Sequence, residues 1–128
     1  MTFELEEKIK ALKPEWFEGL HYGLECGDGW FDIIRDLVVK LVELSKETPR
    51  AFVGFSIAQI KEKFGTLRFY TAHGDGYDGQ VYRRIMALVQ GAEHASSRTC
   101  ELCGKEAKLK TMGYIQTLCR YPHDHSEG

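Results

Sequence analysis

The spacing of apolar positions divides the chain into segments of different period. Leu5, Ile9 and Leu12 recur at helical intervals with charges between them, which predicts a helix from Thr2 to Lys13, stopped or turned by Pro14. The glycines at 19, 23 and 27 predict turns around a short extended piece at Leu20–Cys26. Trp30, Ile33, Ile34, Leu37, Val38, Leu41 and Leu44 then form one broad stripe, with Asp32, Asp36, Lys40, Glu43 and Glu47 on the opposite side. This predicts a helix over Trp30–Glu47, with Asp28 as its cap and Thr48-Pro49 as its end, because a residue before proline avoids helical angles.

The period then changes to two. Phe52 to Ile60, rich in β-branched and aromatic residues, reads as a strand, and Lys61 to Gly65 as a turn. From Thr66 to Thr71 the pattern alternates, Leu67 and Phe69 on one side, Arg68 and Tyr70 on the other, so the two runs predict a β-hairpin with one buried face. A glycine- and aspartate-rich loop, His73 to Gly79, leads into a second long helix that starts at Asp78 or Gly79 and reaches Ser97. Its stripe is Val81, Ile85, Leu88, Val89, Ala92 and Ala95, which leaves Arg83, Arg84, Gln90 and Glu93 in solvent. Beyond Ser97 lie a tight cysteine turn and two short strands, Lys108–Leu109 and Tyr114–Leu118. The expected fold is α+β: a hairpin-based sheet packed by the two main helices, residues 1–98, and a zinc-knuckle or ribbon-like hairpin at 99–128 packed on the same unit.

Composition narrows the class without naming an activity. At 128 residues, 43% hydrophobic and 28% charged, the chain suits one core that needs no disulfide staples. The net charge of −2 provides no global field for gripping nucleic acid. It divides into −5 over residues 1–49 (11 acids, 6 bases) and +3 over residues 50–128 (8 acids, 11 bases). The apolar runs are too short to span a bilayer, and the acidic start is unlike a signal peptide, so the expectation is a cytoplasmic protein with no membrane contact.

The most specific chemical pattern is Cys100-x2-Cys103-x15-Cys119-x3-His123. A Cys-x2-Cys turn puts two sulfurs on one side of a knuckle, Gly104 lets the backbone curl, and a hairpin returns a second pair to the same point. Three thiolates and one imidazole saturate a tetrahedral Zn²⁺, leaving no open position for a substrate, so the expected ion is structural. His125 competes with His123 as the fourth ligand, and Pro122 leaves that choice open. The alternatives are unliganded thiols or a redox pair at Cys100 and Cys103, although no βαβ pattern surrounds them. The lone Cys26 reads as a buried packing thiol; a nucleophile there would need His21 or His73 beside it.

Two further patterns are weaker. Gly74-x-Gly76-x-x-Gly79 matches a dinucleotide fingerprint by letter, but Asp75 and Asp78 would repel a pyrophosphate and no second parallel strand follows. It reads as a turn that caps a helix. Lys61, Lys63 and Arg68, interleaved with Phe64 and Tyr70, form either a contact face or an ordinary solvated sheet surface. No Ser-His-Asp or paired-carboxylate grouping is legible.

Gly27-Asp28-Gly29-Trp30-Phe31-Asp32-Ile33-Ile34, then Ile60-Lys61-Glu62-Lys63-Phe64-Gly65-Thr66-Leu67-Arg68-Phe69-Tyr70, then the cysteine–histidine tail, resemble a group of small uncharacterised proteins of bacteriophages and bacterial genomes. The group's last pair has the form Cys-x2-His where this chain has Cys119-x3-His123. The resemblance implies a phage or prophage setting and a metal-binding tail, and it supplies no catalytic residue. With a closed metal site it points to a non-catalytic, zinc-stabilised interaction protein in the host cytoplasm. Its expected partner is a host protein, a defence protein being one such target. The expected contact residues are Lys61, Lys63, Phe64, Arg68 and Tyr70. Alternatives are nucleic-acid binding through the basic hairpin, and a binder or sponge of small anionic nucleotides using Arg83 and Arg84.

Overall fold

The computed structural model describes residues 1–110 and 115–119. His123 and His125 lie outside the described residues, as does Tyr114 at the start of the second expected tail strand. The architecture is α+β. Helices α1 (Phe3–Lys10), α2 (Phe31–Glu47) and α3 (Gly79–Ser96) surround a sheet of β1 (Leu24–Glu25), β2 (Ser56–Lys63) and β3 (Thr66–Ala72), in the order β1-β2-β3. A separate antiparallel pair, β4 (Lys108–Lys110) and β5 (Gln116–Leu118), carries the cysteine turn.

The short extended piece expected before Cys26 is β1, and it lies parallel to β2, Leu24 opposite Ile60 and Glu25 opposite Lys61. Strand β2 starts four residues later than expected and runs through Lys61-Glu62-Lys63, where a turn was anticipated. The segment Pro49–Phe52 is a 3-10 turn instead. Proline at its start fixes a helical φ, and Phe52 goes inward to join an aromatic cluster with Trp16 and Phe55, centroids 4.8–5.6 Å apart. The hairpin turn is only two residues, Phe64 and Gly65, with φ of 53° and 85°. Positive φ at both positions is the geometry whose twist matches paired strands.

A bulge at Ala58 separates the pairs Ile57–Thr71 and Gln59–Tyr70. One extra residue shifts the phase, so Ile57 and Ile60, three apart, both point into the core with Leu67 and Phe69. Helix α3 covers the outer edge of β3. Ser96 is fully buried, and its Oγ accepts the Leu67 N–H at 2.8 Å, while Glu93 Oε2 accepts the Phe69 N–H at 3.0 Å. Glu93 was expected in solvent; the edge strand's unpaired donors claim it. Asp78 caps α3 as expected, accepting from Gln80 and Val81. Asp28 does not cap α2: a 3-10 turn over Asp28–Trp30 intervenes, and its Oδ1 accepts the Thr2 N–H at 2.8 Å, tying α1 to the α2 entry.

Candidate functional site

The cysteine turn is built by local backbone bonds. The Cys100 N–H donates to Lys105 O (2.7 Å), the Gly104 N–H to Cys100 O (2.9 Å), and Gly104 takes φ of 82°, where a side chain would be strained. Thr99 bridges Glu106, which closes the loop, and β5 returns Cys119 to it. The sulfurs of Cys100, Cys103 and Cys119 all lie within 4.8 Å of one another, and Cys103 and Cys119 are 3.5 Å apart. A tetrahedral Zn²⁺ with bonds of about 2.3 Å separates its sulfurs by roughly 3.8 Å, so the three thiols fit around one ion of that size.

The electrostatics suit a cation as well. Burial pushes the Cys100 thiol up, but the N–H groups of Cys119, Cys103 and Leu102 aim at its sulfur and bring it below the usual range. Burial and the neighbouring sulfurs hold Cys119 up at about 11. Three thiols crowded together resist becoming three anions; a divalent cation reverses that by supplying the opposite charge.

The turn is also fused to the core, which the spacing of the cysteines did not reveal. The Gly29 N–H donates to Glu101 O at 2.7 Å, the Gly27 N–H to Glu101 Oε2 at 3.0 Å, and the buried Trp30 gives its Nε1–H to Thr99 O at 2.9 Å. A Cβ on Gly29 would lie 2.1 Å from Cys100 O, and one on Gly27 would lie 2.3 Å from Glu101 O. Glycine is required at both because backbone meets backbone. Burial holds the Glu101 carboxyl above its ordinary value, with the Gly27 N–H pulling the other way. On the far side, Thr117 Oγ1 donates to Gly65 O, and the Glu101 N–H donates to Thr117 O at 3.0 Å. Gly27–Trp30, Gly65 and the tail residues Thr99, Glu101 and Thr117 therefore meet at one junction. The only sequence signal for it is the pair of glycines flanking Asp28.

Four of the five expected contact residues, Lys61, Lys63, Arg68 and Tyr70, lie together on the outer face of the sheet. The register sets Lys61 opposite Arg68, Lys63 opposite Thr66 and Gln59 opposite Tyr70, so these side chains share the face that the helices do not cover. Phe64 stands at the tip, 63% exposed, with the Lys63 ammonium 5.6 Å from its ring centroid.

The remaining candidates are placed elsewhere. Arg84 is engaged by Glu47 on α2 at 3.1 Å, and Arg83 is exposed. The glycine loop packs against backbone: a Cβ on Gly74 would lie 2.6 Å from Gly54 Cα, one on Gly76 2.1 Å from Arg50 O, and the Gly76 N–H donates to Val53 O. Gly74 and Gly76 thus serve close packing, whereas a Cβ on Gly79 would meet open space. Cys26 is buried, and burial pushes its thiol up to about 12. His73 packs edge-on against Phe55 and Tyr82 and sits 2.8 Å from Thr71 Oγ1; burial lowers its pKa. No helix among the described residues is long and apolar enough to cross a membrane. No family model, curated protein or solved structure matches the chain.

Proposed function

We propose that this is a non-catalytic interaction protein in which a structural Zn²⁺ staples the C-terminal hairpin to the core and the outer sheet face binds a host protein. The observation that supports it most is the junction. The three thiols that can share an ion lie within two residues of Thr99, Glu101 and Thr117, which grip Gly27–Trp30 and Gly65. An ion there would stabilise the turn that presents Phe64. His123 or His125 would complete the tetrahedron, and a closed coordination shell supplies folding energy in place of a reactive water. Phage origin and a host-defence target rest on the motif resemblance.

Phe64 supports the sheet face as the contact surface. Asparagine suits the first position of such a turn, and a large exposed aromatic there gives up turn stability for surface chemistry. The test is capture of host proteins on immobilised wild type and on a Phe64→Ala/Arg68→Ala variant, with zinc content measured on both. The expected result is about one zinc in each and loss of the captured partner in the variant. A partner retained by the variant would show that the face is wrong.

A further inference from the structure

We infer that the occupant of the outer sheet face is an extended, acidic segment of a protein that carries a large aromatic or aliphatic residue at one end; this deepens the reading above and rests on it. Lys61 and Arg68 stand directly opposite each other, an arrangement that costs stability because like charges across strands repel. Among the described residues, Lys61, Lys63 and Arg68 have no carboxylate within 4.0 Å; the ion pairs use Lys8, Lys13, Arg35 and Arg84 instead. Glu25, level with Lys61 on β1, turns to Gln59, 3.5 Å away. The face thus holds three cations and one acid in a chain whose net charge is −2. An anion from outside is the missing complement.

The same numbers favour a short acidic segment over nucleic acid. A polyanion continues past the face, and there it meets a chain that is acidic overall, with Arg84 already committed to Glu47. A peptide with two or three carboxylates feels only the local field. At the far end of the face a groove of about 270 Å³ opens between the Gly19–Gly23 turns and the Ala58 bulge, lined by Leu20, Tyr22 and Tyr70 among others. It has room for one large side chain. Residues along the strands are spaced about 6.7 Å apart on one face, so an extended segment anchored at Tyr70 places its next alternate residue over the Arg68–Lys61 pair and the one after that over the Thr66–Lys63 pair.

The test is fluorescence anisotropy on the zinc-loaded full chain. The probes are a labelled Glu-rich Glu/Tyr copolymer and a labelled oligothymidylate; the variants are Lys61→Glu/Arg68→Glu and Tyr70→Ser. Zinc content and melting temperature of every sample establish that the scaffold is intact. We expect the copolymer to bind wild type and to weaken about tenfold or more between roughly 50 and 300 mM salt. It should weaken about tenfold or more again in the charge-reversed variant, and less in Tyr70→Ser. Oligothymidylate should bind about tenfold more weakly than the copolymer. Absence of copolymer binding, equal binding by the charge-reversed variant, or tighter binding of oligothymidylate each overturns the inference. If the capture experiment loses its partner in Phe64→Ala/Arg68→Ala while the copolymer fails, the face stands and its acidic occupant does not. If capture is unaffected, the face itself falls.

Discussion

Phe64 occupies a backbone position that favours asparagine. Its φ of 53° is left-handed, which costs an ordinary residue about 1–2 kcal/mol. Phe64→Asn is therefore expected to raise stability by about 0.5–1 kcal/mol in denaturant unfolding while it weakens partner capture. A stability loss on that substitution would mean that the ring packs usefully on the folded chain. Cys26 makes the opposite case, a reactive atom made inert. Its thiol lies in the core with a pKa of about 12. At neutral pH, peptide mapping after alkylation should find Cys26 unlabelled in folded protein and labelled in guanidinium. Labelling at native rates comparable to a free thiol would contradict its burial.

Helix α2 and the alternation of Leu67 and Phe69 were legible because burial on one face writes a period into the chain. The strand β2 boundaries were less so. Its polar end, Lys61-Glu62-Lys63, looks like a turn until β3 pairs with it, and the bulge at Ala58 breaks the alternation that marks a strand. The two residues of β1 gave a hint of extended structure and no hint that they lie parallel to β2. Pairing between segments far apart in sequence leaves no local trace. The cysteine spacing announced a knuckle; its seat on Gly27–Trp30 was silent, since a glycine required by a distant carbonyl looks like any other. Gly29→Ala tests that seat. With a Cβ 2.1 Å from Cys100 O, the turn must move, and unfolding free energy should drop by about 3 kcal/mol or more. A change below about 0.5 kcal/mol would show that the two elements do not dock as described.

At the scale of the whole molecule, the described tail is small and has little core of its own: Cys100, Ala107 and Leu118 are its buried apolar residues. The junction with residues 27–30 and 65 fastens it to the core, and an ion held by its three thiols would add to that stability. The coupling runs both ways, so whatever holds the sulfurs together also fixes the base of the hairpin whose outer face we assign to the partner. The most direct measurement is the metal content of protein purified without chelator, by native mass spectrometry, for wild type and for Cys100→Ser. About one zinc per wild-type chain is expected, and none in the variant. Less than about half an equivalent in wild type, or full retention without Cys100, would contradict this.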